Sequence, residues 1–269
     1  MKVNKHRKKI AAALAVGLAL SPVSEDLFAF TASSTPACVS AAKARTKKGW
    51  RTIRGGKKRY YKKGKYVTGI QKIRKKYYYF DKKGIMKTGT VYNRTAVYYL
   101  DNKGILEAFR KKSVYYYPNG KRMSTTEAQD FKTLQTAKSI AGQVTNSRMT
   151  QEQKLKACFD WVISKPYVTR RTFANVKGWP AVYANDHFLL GGGNCFSDAA
   201  AFAYLAKALG YKNVYVCVDC DGSGGRGHAW AEINGLAYDP LFAEAKSYSA
   251  NYAAPYGTYI LHPILHIAL

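Results

Sequence analysis

The sequence predicts an α+β domain at the C-terminus, preceded by an all-β module of repeated hairpins. Three observations carry this. Within residues 50–123 a tyrosine-rich triplet recurs a few residues before a glycine, and those glycines (Gly64, Gly84, Gly104, Gly120) are spaced 20, 20 and 16 apart. Beyond residue 124, capping-box patterns precede apolar residues at helical spacing, and strand-like runs come only later. Charge divides the chain at the same place: residues 45–123 hold 25 basic and 3 acidic residues, residues 124–269 hold 13 and 11. Of the net +28, +22 therefore lies in the middle segment, which marks a basic interaction module beside a nearly neutral globular one.

Residues 1–44 read as an export signal. "MKVNKHRKKI" is a basic opening, "IAAALAVGLAL" is an apolar run of 11 residues, and Ala42-Lys43-Ala44 offers a small-x-small cleavage site. A bilayer span needs about 20 apolar residues, so no stable membrane span is expected after cleavage. Five cysteines are too few for a disulfide framework in an exported chain of 269 residues. Cys217-Val-Asp-Cys220 is a lone C-x-x-C with no second ligand pair, and no metal or other cofactor is assigned.

Residues 45–123 form the repeat module. "RYYKKGKYVTG", "YYYFDKKGIMKTG", "VYYLDNKGILEA" and "VYYYPNGKRM" each read as a strand, a tight turn and a second strand. One such hairpin cannot bury its own face, so neighbours stack into a solenoid. The units resemble the cell-wall-binding repeats of exported Gram-positive bacterial proteins, the choline-binding type among them, with "KKYYYFDKKGIMKTG" (75–89) the best match. Repeats of that family open with Gly-Trp. Only Gly49-Trp50 does so here, the later positions being Gly69-Ile70 and Gly89-Thr90. What remains is a stack of aromatics wrapped in lysines, and the candidate wall-polymer contacts are Trp50, Tyr60, Tyr61, Tyr78, Tyr79, Tyr98, Tyr99 and Tyr116. Anionic wall polymers of the teichoic type are the expected partner. Nucleic acid would suit the charge and the aromatics, but the export signal argues against it.

Residues 124–269 form the second domain. Capping boxes at Ser124–Glu127 and Thr150–Gln153 open two helices, the second stopped by Pro166. A polar, glycine-bearing stretch through "GWPAVYANDHFLLGGG" leads to Cys195 and a helix ending at Gly210. "NVYVCVDC" reads as a strand, and "HAWAEING" and "LAYDPLF" as a strand pair around Asn234-Gly235.

Cys195 heads its helix, where the macrodipole and free N–H groups favour a thiolate and a lowered thiol pKa. The preceding glycines would let substrate approach closely. His228 begins one strand and Asp239 ends the adjacent one, so the carboxylate can orient the imidazole and the imidazole can serve as base. "GNCFSDAAAFAYLAKALGY", "GHAWAEI" and "AYDPLF" resemble the three motifs of the transglutaminase-like superfamily. The resemblance implies a papain-like α+β core, with Cys195 as nucleophile, His228 as general base and acid, and Asp239 as orienting carboxylate. It also implies an upstream tryptophan as a further oxyanion donor, for which Trp179 and Trp161 are candidates. Trp230 is expected to pack against the wall of the site and Asn194 to shape the pocket, while Ser197 and Asp198 read as capping or solvated residues.

The expected activity is attack on a peptide or isopeptide amide, through a thioester, with water as acceptor: a peptidase or amidase held at the cell wall or surface of a Gram-positive bacterium. A lysine amine as acceptor would make it a cross-linking transglutaminase, and an inert site would leave a wall-binding adhesin.

Overall fold

Gly49, Gly69 and Gly89 adopt φ of 79°, 70° and 67°, and each opens the first strand of an antiparallel pair. The computed structural model describes residues 46–224 and 227–269; the expected signal peptide, residues 1–44, lies outside the described residues. Strand β1 (Gly49–Thr52) pairs with β2 (Lys58–Lys62), which pairs with β3 (Lys65–Tyr66). A two-stranded hairpin follows, β4 (Gly69–Ile73) with β5 (Lys76–Phe80). Then comes a four-stranded antiparallel sheet of β6 (Gly89–Tyr92), β7 (Val97–Leu100), β8 (Leu106–Lys111) and β9 (Val114–Tyr116).

The strand, turn and second strand read in the sequence are present as β2–β3 and β7–β8, while in "YYYFDKKGIMKTG" the segment after the turn contributes the bridge from Phe80 to Met86. The tyrosine strands also pair backwards, each to the strand opened by glycine. An Asp-x-x-Gly turn follows two of them. Asp81 Oδ1 accepts the backbone N–H groups of Lys83 and Ile85 (both 2.9 Å), and Gly84 N–H returns to the Asp81 carbonyl. Asp101 repeats the arrangement with Lys103 and Ile105. The same turn leads to a single bridge after Asp81 and to the full strand β8 after Asp101. Successive units stack through aromatic faces, Tyr79 on Tyr98 at 3.9 Å and Phe109 on Tyr116 at 5.1 Å between centroids.

Residues Thr46–Leu269 pack as one unit. Helix α1 (Thr125–Val144) carries the reciprocal Ser124–Glu127 box, and its Phe131 packs edge-on against Tyr99 (5.1 Å) and near Tyr115 (6.0 Å) of the hairpins. Lys138 of the same helix pairs with Glu107 of β8 at 2.7 Å. Helix α2 (Gln151–Ile163) has the Thr150–Gln153 box. The "WPAVYANDHFLL" stretch, read from the sequence only as part of a polar, glycine-bearing stretch, is helix α3 (Trp179–Leu190). Its start has a left-handed Gly178 and a Pro instead of a side-chain cap, and its apolar residues are spread around the axis, so neither a capping box nor an amphipathic stripe announces it.

Helix α4 (Cys195–Ala208) runs through the centre of the core, with its first 12 residues buried. Its alanines at 199, 200, 201, 203 and 206 let the surrounding helices and the sheet approach closely. The sheet has the order β13-β12-β11-β10-β14, all antiparallel: β10 (Val214–Val218), β11 (Ala229–Ile233), β12 (Leu236–Tyr238), β13 (Ala254–Pro255) and β14 (Leu265–Ala268). Asn234 (φ 53°) and Gly235 (φ 81°) make the tight turn between β11 and β12. Two short helices, α5 (Pro240–Ala245) and α6 (Tyr248–Asn251), separate β12 from β13. Among the described residues no helix is long and apolar enough to cross a membrane.

Candidate active site

Cys195 is the first residue of α4, and Asn194 caps that helix by accepting the Ser197 N–H at 3.2 Å. Asn194 thus acts on the helix end. Of the glycines before it, Gly191 is exposed with open space around it, while Gly192 and Gly193 are buried and packed. A Cβ on Gly193 would lie 2.2 Å from Ser197 Cβ, and one on Gly192 would lie 2.3 Å from the Pro166 carbonyl oxygen. Val168 N–H also donates to the Gly193 carbonyl at 2.8 Å, fixing the approach to Cys195.

His228 stands just before β11 and Asp239 just after β12, and the antiparallel pairing of those strands brings them together. His228 Nε2 donates to Asp239 Oδ2 at 2.5 Å, while Phe242 stacks on the imidazole at 4.1 Å. Asp239 is fully buried and also caps α5, accepting the Phe242 N–H at 3.0 Å on Oδ1. The Cys195 sulfur lies between the neighbours of that histidine: 3.9 Å from the Gly227 carbonyl oxygen, and reached by the Ala229 N–H. With Nε2 committed to Asp239, Nδ1 is the nitrogen left for proton exchange with Cys195.

The expected lowering of the thiol pKa is reversed. Burial, first of all, pushes Cys195 up to about 12; the N–H groups of Ala229 and Phe196 pull it down, and the Asp198 and Asp239 carboxylates add to the rise. The helix dipole favours an anion, but desolvation of a residue only 5% exposed outweighs it.

The remaining sequence candidates separate. Trp179 is buried at the start of α3 against Phe173 and Phe196, and its indole N–H has no hydrogen-bond partner among the described residues. Trp161 joins the α2–α3 packing against His187 and Phe188 under the Lys165 ammonium. Trp230 packs on Tyr259 and donates its indole N–H to the Tyr256 hydroxyl at 3.0 Å. Ser197 and Asp198 are not solvated: both are buried, and His187 Nδ1 donates to Asp198 Oδ1 at 2.8 Å. Burial raises the Asp198 carboxyl and the His187 contact opposes it. Two contributors went unread in the sequence, Tyr259, which donates to Asp239, and Phe242.

In the hairpins, Trp50 is 37% exposed and meets Tyr60 and Tyr78 edge-on at 5.2 and 5.1 Å. A cavity of about 310 Å³ lies there, lined by Trp50, Tyr78 and Met86 with Arg51, Lys58 and Lys103 around it. Tyr79 and Tyr116 are half-buried, Tyr61 and Tyr98 are buried, and Tyr99 lies against Phe131 of α1. These last three serve packing more than contact with a polymer.

Residues 138–240 match the family of the transglutaminase-like superfamily, and residues 67–104 match the choline-binding repeat. No curated protein matches the sequence. Among solved structures, choline binding protein F from Streptococcus pneumoniae is 30% identical, covering 30% of this chain and 29% of that one, with a TM-score of 0.23. The same protein in the presence of a peptidoglycan analogue is 31% identical, covering 29% and 28%, with a TM-score of 0.22. The pneumococcal cell-wall endolysin from phage Cp-1, complexed with choline, is 25% identical over 28% and 24%, with a TM-score of 0.21. The chain thus spans less than a third of each of these proteins.

Proposed function

We propose that this protein is an exported, cell-wall-associated thiol enzyme that cleaves peptide or isopeptide bonds through Cys195, His228 and Asp239. One observation carries the reading: an imidazole locked by Nε2 to a buried carboxylate, with its chain neighbours against the sulfur that begins helix α4. The flanking domain division, hairpins to residue 123 and catalytic domain from Ser124, is part of the proposal.

The thiol rests protonated, so activation coincides with attack. His228 Nδ1 takes the Cys195 proton as sulfur bonds to the amide carbon and the carbonyl π pair moves to oxygen. The backbone N–H of Cys195, at the helix start, is the candidate first donor to this oxyanion, and the Trp179 indole N–H, buried with no partner among the described residues, is the candidate second. Collapse breaks the C–N bond, His228 protonates the departing amine, and a thioester remains. Water then loses a proton to His228, adds to the thioester, and releases the acid while sulfur regains its proton. Asp239 orients the imidazole and stabilises the imidazolium in both halves.

The hairpins hold the enzyme on its substrate. Their net +22 and the aromatic cavity at Trp50 support binding of anionic wall polymers. The test is incubation with cross-linked wall peptides and mass analysis of products and of Cys195. Release of amine and acid, lost in Cys195→Ala and reduced about 100- to 10,000-fold in His228→Ala, supports hydrolysis. Incorporation of a labelled primary amine in place of water identifies a transglutaminase. Wall binding with neither turnover nor acylation identifies an adhesin.

A further inference from the structure

Strands β10, β11 and β14 bring three different donor types to one place on the sheet face turned away from the helices. Cys217 is directly opposite His266, and two positions back along the same strand Tyr215 faces Glu232. The period of two puts all of them on one face, and the neighbouring inward positions, Val216, Val218, Ala231 and Ile233, belong to the helix-covered core. The thiol sulfur, a carboxylate oxygen and an imidazole nitrogen all lie within 4.8 Å of one another. His266 Nε2 is 2.9 Å from Glu232 Oε2, and the Tyr256 hydroxyl donates to the same oxygen at 3.0 Å while lying 3.6 Å from Cys217 Sγ.

We propose that Cys217, Glu232 and His266 form a binding site for a zinc-class divalent cation. The donor set is mixed sulfur, nitrogen and oxygen, which suits zinc far better than magnesium or calcium. Bonds of about 2.0–2.3 Å in a tetrahedron place ligand atoms roughly 3.3–3.7 Å apart, so small side-chain rotations close the observed set around an ion. The imidazole is already oriented, stacked on Tyr215 at 4.0 Å. Its side chain is 42% exposed, which gives the ion a route from solvent, while Cys217 beneath is buried. Water or the Tyr256 oxygen completes the fourth position. The C-x-x-C pair does not form the site: the partners of Cys217 come from β11 and from β14, 15 and 49 residues on.

Binding replaces the Cys217 proton with the metal and requires neutral His266, so it releases one proton and tightens as pH rises. The ion ties β14 to the sheet centre and thus raises stability. The site is independent of the catalytic reading, because neither its atoms nor its test use Cys195 chemistry.

Cobalt(II) serves as probe, in the Cys38→Ser, Cys195→Ala, Cys220→Ser background, which leaves Cys217 and the buried Cys158 of α2 as the thiols. One equivalent per chain should give the ultraviolet thiolate-to-cobalt band and the intense visible bands of a four-coordinate ion, displaced by zinc. Cys217→Ser should lose the thiolate band. His266→Ala, a change at a partly exposed edge-strand position that leaves the core intact, should lose the four-coordinate spectrum and the zinc-dependent rise in melting temperature. The proposal is overturned if the folded background protein gives no thiolate band with excess cobalt, or if the spectrum survives His266→Ala.

Discussion

Tyr259 donates its hydroxyl to Asp239 Oδ2 at 2.7 Å, the same oxygen that holds His228 Nε2 at 2.5 Å. Both partners are buried, and burial together with the carboxylate raises the Tyr259 pKa, which keeps the hydroxyl a donor. The carboxylate therefore has one oxygen shared between the imidazole and Tyr259 and the other on the Phe242 N–H. It has no freedom to turn away from His228.

Tyr259→Phe is expected to lower kcat about tenfold with KM unchanged, since a hydrogen bond to a charged group contributes about 1.5–3 kcal/mol. Removing the donor frees Asp239 Oδ2 from one of its two restraints, so the imidazole is held less firmly and kcat falls while KM stays. A merely structural role would lower the melting temperature and leave kcat of the folded enzyme in place. Steady-state kinetics on a cross-linked wall peptide, the proposed substrate, beside a melting curve distinguish the two.

The raised Cys195 pKa has its own signature. A thiol held at about 12 by burial ionises progressively through the alkaline range. With the base removed, in His228→Ala, alkylation by iodoacetamide should thus climb roughly tenfold per pH unit from pH 6 to 9 without levelling off. A plateau in that variant below about pH 8.5, the free-thiol reference, would contradict a thiol raised by burial.

Three thiols, Cys158, Cys195 and Cys217, are pushed to about 12, each chiefly by burial. Unfolded cysteines ionise near about 8.5. Above that pH the unfolded chain loses protons that the folded chain retains. Stability contributed by these groups is therefore full below about pH 8.5 and lost as pH rises toward 12. Tyrosines enter only from about pH 10 upward in the unfolded chain. Between pH 8.5 and 10, with a chelator present, denaturant midpoints should fall, and Cys158→Ala should fall less steeply by up to one proton. Equal slopes for the two proteins would contradict the assignment.

The parts of this protein legible in sequence are those encoded locally. Ser124–Glu127, Thr150–Gln153 and Asn234-Gly235 each specify their own backbone within four residues, and the structure has them as read. Cys195, His228 and Asp239 were legible as a spaced set because each sits at an element end. What escaped depends on distant pairing. Tyr259 meets Asp239 only after the chain has passed through two short helices and β13, and β14 joins β10 from the far end of the domain. Asp198 read as solvated because its partner His187 lies in a helix with no capping or amphipathic signal. The Cys195 thiol follows the same rule: the helix terminus that favours an anion is visible in sequence, and the burial that opposes it is not.

At the hairpins, the Trp50 cavity combines aromatic faces with Arg51, Lys58 and Lys103. The cations attract a polyanion over distance, and their contribution is screened by salt within about 10 Å at 0.1 M. The aromatic contacts are short-ranged and nearly salt-independent. The two terms are therefore separable. Replacing Arg51, Lys58 and Lys103 together by Gln should weaken retention on isolated walls at low salt and flatten its dependence on ionic strength. Trp50→Ala should weaken retention at every salt concentration with the slope preserved, by about 0.5–2 kcal/mol if a quaternary ammonium is held against the ring. Free choline would then compete with the wild type and have no effect on Trp50→Ala. If choline leaves wild-type retention untouched while salt releases it fully, the cavity is not a ligand site and the cationic surface alone holds the wall.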